Sequence, residues 1–208
     1  MLKRLYLIRH GETEGAGDGE PRYKGSIDVS LSARGLRQTG ATAAHMKRAG
    51  LAPDAIYASP LSRARATADE LGHAFGLGHE VIQTLRERHF GLWEGMTFRE
   101  IAARWPDAFN AWAADPLSFS PTEGESTREV HERALGAFYE IAKRHAGGSV
   151  AIVAHGGINR VLLCQFLGIP LEHIFRVEQD FACLNIVRFY DGGEPCVKLM
   201  NATYHEAE

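Results

Sequence analysis

The segment Leu5-Tyr6-Leu7-Ile8-Arg9-His10-Gly11 constrains this chain more than any other. Its apolar run is opened by Leu2 and closed by glycine, which predicts a strand buried on both faces. Strands of that kind belong to sheets covered by helices on each side. Open α/β sheets place their ligands at the carboxyl ends of such strands. This strand therefore carries Arg9 and His10, side by side, to the mouth of a sheet. An imidazole can act as a nucleophile, and a guanidinium is a fixed fork for phosphate oxygens. The competing reading is a strand end with two polar residues facing solvent.

The rest of the chain alternates in the same way. Strands are predicted at 54–58, 80–85 and 149–154. A helix is expected from the cap Ser32 to Gly50, and a second with Pro60 in its first turn and glycines at its end. A third runs from Ser126 or Thr127 to His145, and a fourth follows His155 as far as Gly168. Segments 181–190 and 195–200 look like paired strands around Asp191-Gly192-Gly193. The pattern predicts an α/β fold, a three-layer α/β/α arrangement with a mostly parallel central sheet. Residues 97–125 hold two short helical pieces broken by Pro106, Pro116 and Pro121. They are too few for a second domain and are expected to form a small helical cap on a single domain spanning 1–208. Gly15, Gly17 and Gly19 sit in a glycine-rich loop over 14–26. They make no dinucleotide fingerprint, because Pro21 follows and no helix opens there.

Several function classes are disfavoured. With 208 residues and a formal charge of -3, nothing points to nucleic acid or to an acidic membrane surface as partner. Cys164, Cys183 and Cys196 are odd in number and widely spaced, so neither a disulfide framework nor a cysteine zinc site is indicated. The histidines are scattered, and no metal or other cofactor is expected. The N-terminal apolar run is too short for a signal peptide, which leaves a cytoplasmic location as the expectation. There is no Gly-x-Ser-x-Gly for a serine hydrolase and no phosphate-binding Gly-x4-Gly-Lys-Ser/Thr. A small phosphorylated metabolite is the partner that fits, and a homodimer is left open.

Four stretches end a strand or begin a helix with a residue able to bind or move a phosphoryl group: Arg9-His10, Arg63, Glu87 and His155-Gly156. Leu-x-Arg-His-Gly-Glu-Thr at 7–13, Ser-x-Leu-x-Arg at 59–63, Glu87 before Arg-His-Phe-Gly, and Ala-His-Gly-Gly at 154–157 together resemble the histidine phosphatase superfamily, the phosphoglycerate-mutase-like family. The resemblance covers the whole chain in order. The stretches 90–95 and 124–126 are most similar to its small phosphatase branch, which includes α-ribazole phosphatases.

The resemblance implies a phosphomonoesterase with His10 as nucleophile. It implies Arg9, Arg63 and His155 around the phosphoryl oxygens, two guanidiniums and an imidazolium in place of a metal. It implies Glu87 as the acid for the leaving oxygen and then the base for water, with Glu94 and Glu125 as its competitors by residue type. His89 would line the rim. Thr13, Arg22, Lys24, Gly25 and Gly156 are the substrate-contact candidates. Here the chain departs from the family: Arg22-Tyr23-Lys24-Gly25 puts a flexible cation where a neutral donor is usual. The long insertion with paired arginines that mutases carry is missing. The alternatives are a cofactor-dependent phosphoglycerate mutase and a phosphate-binding module without catalysis.

Overall fold

A computed structural model describes residues 2–16, 19–191 and 193–205. Gly17 and Asp18 of the glycine-rich loop and Gly192 of the expected turn lie outside them. In chain order the elements are β1 (Arg4–Arg9), α1 (Ala33–Arg48), β2 (Ala55–Ala58), α2 (Ser62–Phe75), β3 (His79–Val81), α3 (Phe98–Arg104), α4 (Pro106–Ala114), α5 (Thr127–Arg144), β4 (Ser149–Ala154), α6 (Gly156–Leu167), β5 (Leu184–Phe189) and β6 (Pro195–Ala202). The strands form one sheet in the order β3-β2-β4-β1-β5-β6. β1, β2, β3 and β4 pair in parallel, while β5 and β6 join antiparallel.

The apolar run of β1 is explained by its two neighbours in depth. Leu5 and Leu7 pack with α5 and α6 in one core, and Tyr6 and Ile8 pack with α1 and α2 in the other. Alternate residues of a strand face opposite sides, so a strand covered by helices on both faces must be apolar throughout. β4 follows the same rule and is buried from Val150 to Ala154. The predicted three layers and mostly parallel sheet are therefore observed.

Helix ends follow their capping chemistry. Ser32 accepts from the Gly35 amide, and Ser126 and Glu129 form a reciprocal capping box at the start of α5. Thr97 and Glu100 do the same for α3.

Three local expectations need correction. The third strand ends at Val81, not 85, because Gln83–Leu85 turn as a 3₁₀ helix that buries Leu85 in the α5/α6 core. α2 begins at Ser62, so Pro60 precedes the helix; the first-turn Ser62 amide is satisfied by the Asp28 carboxylate at 2.8 Å. β5 begins at Leu184, not 181. Ala182 holds φ 55°, and the Cys183 amide donates back to the Asp180 carbonyl at 3.2 Å, so 180–183 form a turn ahead of the strand. No helix among the described residues is long and apolar enough to cross a membrane.

Candidate active site

The sheet order explains how distant residues converge. β1 lies between β4 and β5, with Arg9 opposite Ala154. His10 therefore leaves the sheet next to His155, and their rings meet edge-on with centroids 5.1 Å apart. β2 lies on the other side of β4 and leads into α2, whose second residue is Arg63. A cavity of about 570 Å³ opens above these strand ends. Arg9, His10, Arg63, Glu87 and Gly156 line it, and so do Thr13, Arg22, Lys24 and Gly25. His155 is fully buried beside His10 and does not itself line the cavity.

The loop after β1 is held close to α1. A Cβ on Gly11 would lie 2.4 Å from the Gly35 carbonyl oxygen, so only glycine permits this approach. The same loop positions the His10 ring. Nδ1 of His10 lies 2.7 Å from the Gly11 carbonyl oxygen, which can only accept, so Nδ1 carries the proton. Nε2 is left with its lone pair. Burial, and then the Arg9 and Arg63 guanidiniums, hold His10 well below the usual imidazole range. The ring is thus a neutral base in a cationic setting.

Arg9 is fixed from two sides. Nη1 donates to the Gln179 carbonyl, and the guanidinium lies over the Phe181 ring at 4.0 Å from its centroid. A desolvated contact of that kind contributes about 2 kcal/mol. Gln179 is itself fully buried in a side-chain network with Asn159 and Asn185. Nε of Arg9 and Nδ1 of His155 are buried and lack partners among the described residues. Two such nitrogens flanking a nucleophile-competent imidazole make a place where an anion would repair the deficit.

Arg63 is 2% exposed and acts as a bracket as well as a charge. Its Nη1 donates to the Ile27 carbonyl and its Nη2 to the Gly25 carbonyl, each at 2.7 Å. Lys24, three residues from Ile27, donates through Nζ to Thr13 Oγ1 at 2.7 Å and to the Glu14 carbonyl at 2.6 Å. Arg22 binds Glu100 and the Gly95 carbonyl. These contact candidates therefore share the cavity wall while also tying the 13–27 loops together.

The three glutamates separate clearly. Glu94 accepts from the Ser26 and Phe90 amides, and Glu125 is clamped by Arg133, Arg86 and the His89 amide. Neither lines the cavity. Glu87 does, with Oε2 accepting from the Gly157 amide at 3.0 Å and Oε1 from the Arg88 amide at 2.9 Å. A Cβ on Gly157 would fall 2.5 Å from Oε1, so a larger residue there would push the carboxylate aside. Glu87 follows the 3₁₀ turn rather than a strand end. His89 does not reach the rim; its Nδ1 meets the Glu123 carbonyl at 2.7 Å.

His155 also differs from expectation. Burial, then His10, Arg63 and Arg9, hold its ring well below the usual imidazole range, which favours the neutral form over an imidazolium. Sequence reasoning missed Phe181, Arg160, Trp112 and Phe175, all on the cavity wall. Their residue types are ordinary for core or surface, and no local spacing links them. Among the described residues no group of three His, Cys, Asp or Glu side chains could hold a metal ion.

A family model described as "Histidine phosphatase superfamily (branch 1)" matches residues 5–203. Phosphoserine phosphatase 1 of Hydrogenobacter thermophilus is 34% identical over 100% of this chain and 96% of its own length. Glucosyl-3-phosphoglycerate phosphatase of Mycolicibacterium vanbaalenii is 38% identical over 83% of this chain and 77% of its own. Among solved structures, a putative alpha-ribazole-5'-P phosphatase from Escherichia coli superposes with a TM-score of 0.87 at 26% identity, with all of both chains covered.

Proposed function

The chain belongs to the histidine phosphatase superfamily (branch 1), and on that premise we propose that it is a phosphomonoesterase that hydrolyses small phosphorylated metabolites through a phosphohistidine on His10. The observation that carries this reading is the His10 ring: proton held on Nδ1 by Gly11, lone pair free on Nε2, Arg9 and Arg63 beside it on the cavity wall. Nε2 attacks phosphorus as the ester P–O bond breaks, and Glu87 gives its proton to the departing oxygen. Water then attacks the phosphohistidine, the N–P bond breaks, and Glu87 takes a proton from that water, which restores both His10 and the acid. A phosphoryl transition state spreads charge over its equatorial oxygens, so positioned cations supply most of the stabilisation. Arg9 and Arg63 are assigned that work without a metal ion.

The cavity supports a substrate larger than a bare phosphoryl group. Its volume of about 570 Å³ lies in the range that holds a whole small ligand. Tyr23, Phe90, Trp112 and Phe175 present aromatic surface to it; Tyr23 and Phe90 pack at 4.6 Å, Trp112 and Phe175 at 6.2 Å. A leaving group with a flat apolar ring suits such walls, as in α-ribazole 5′-phosphate. The test is phosphate release from a panel of α-ribazole 5′-phosphate, phosphoserine, glucosyl-3-phosphoglycerate and 3-phosphoglycerate. The highest kcat/KM on the first supports the assignment. A preference for phosphoserine overturns the substrate. Isomerisation of 3-phosphoglycerate faster than phosphate release overturns hydrolysis itself and makes the chain a mutase.

A further inference from the structure

Sheet register sets Ser59 beside His155. β2 and β4 pair with Ala58 opposite Val153, and the Ser59 amide donates to the Val153 carbonyl at 3.0 Å. Both side chains are fully buried, and Ser59 Oγ lies 2.6 Å from Nε2 of His155. The mechanism above makes no use of this serine.

The direction of that bond follows from hydrogen-bond accounting. Among the described residues, Oγ has one further partner, the Leu61 amide at 3.4 Å, which can only donate to it. If Nε2 also carried a proton, Ser59 would receive two donors and its own buried O–H would have no acceptor. The arrangement that satisfies every group has the hydroxyl donating to Nε2.

We propose that Ser59 is a positioning residue that fixes the tautomer of His155, holding the ring proton on Nδ1 so that it is offered to the phosphoryl group. Nδ1 is the ring nitrogen that lacks a partner among the described residues, and the ring stands edge-on to His10. His10 is held in the same tautomer by the opposite device, a carbonyl that accepts at Nδ1 rather than a hydroxyl that donates at Nε2. The result is a division of labour: one ring turns a lone pair toward phosphorus, and the other turns an N–H toward its oxygens. Which tautomer a neutral histidine adopts is set by the bond its other nitrogen makes. For a neutral His155 the choice decides whether the ring offers phosphate a donor or repels it with a lone pair. The anion's identity rests on the phosphatase reading; the tautomer rests on the hydrogen bonds alone.

Long-range ¹H–¹⁵N correlation spectra of the ¹⁵N-histidine-labelled protein, free and with inorganic phosphate, read the tautomer directly. Wild type is expected to show His155 with Nδ1 protonated and Nε2 bare. Ser59→Ala should move the proton to Nε2 and weaken phosphate binding about tenfold, the scale of one hydrogen bond to a charged group. Ser59→Thr keeps the hydroxyl and should keep the wild-type tautomer. Protonated Nε2 in the free wild type overturns the proposal, and this spectrum decides alone if Ser59→Ala does not fold. An unchanged tautomer in Ser59→Ala, or a changed one with unchanged phosphate affinity, overturns it too. If wild type shows the expected tautomer yet neither binds phosphate nor cleaves p-nitrophenyl phosphate, the phosphatase reading fails and the offered anion with it, while Ser59 keeps its hold on the ring.

Discussion

Glu87 Oε2 accepts the Gly157 amide at 3.0 Å, so the carboxylate from one side of the cavity is held by the first turn of the helix that follows His155. That contact holds the Glu87 side chain on the wall it shares with His10, 77 positions away in the sequence.

Glu87→Gln tests the acid. The amide oxygen can still accept from Gly157, so the fold should hold. Hydrolysis of alkyl phosphates should fall by about 10²-fold or more, while aryl phosphates, whose leaving oxygen departs without a proton, should be much less affected. Parallel kcat/KM measurements on the two ester types decide it; equal losses would remove Glu87 from the acid role.

His10→Ala should reduce turnover by at least about 10³-fold, because among the described residues His10 is the one imidazole on the cavity wall. Mass spectrometry after quenching at neutral or alkaline pH should find phosphate on His10 of the wild type. Residual activity within tenfold of wild type would end the phosphohistidine mechanism.

Arg63→Lys keeps a positive charge but cannot bridge the Gly25 and Ile27 carbonyls, which the fork now holds at 2.7 Å each. The 25–27 loop should loosen, and kcat/KM should fall by about 10²-fold. Proteolysis or amide exchange in the loop should rise at the same time. Lost activity with unchanged exchange would mean that the guanidinium fork acts on the phosphoryl group directly and not through the loop.

Stability should fall with acid from a definable point. His10 and His155 are both held below the ordinary value of 6.5 by burial, so the unfolded chain binds more protons than the folded one as pH drops past that value. Their contribution is complete above about pH 6.5 and is lost progressively on descent through the lower folded-state values. Urea unfolding between pH 8 and 5 should show this slope, and the His155→Ala variant should show less of it. Identical slopes would mean the ring titrates freely.

Arg9-His10 and His155-Gly156 were legible in the sequence because each ends an apolar run that only a doubly covered strand explains. Arg63 was legible through its place after Ser59-Pro60. Residue type alone could not choose among Glu87, Glu94 and Glu125; only the tertiary structure turns Glu94 onto the Ser26 amide, locks Glu125 between arginines and leaves Glu87 on the cavity wall. The same holds for Ser59 and Phe181. Phe181 carries no local mark, and Ser59 opens the Ser-x-Leu-x-Arg stretch with nothing in it that points to His155; each reaches a histidine because the sheet is ordered β2-β4-β1-β5. Local sequence dictated which segments become strands, through periodicity and caps. The order in which those strands pair depends on burying two separate apolar faces at once, a long-range condition, and it is that order which chose the neighbours of His10 and His155.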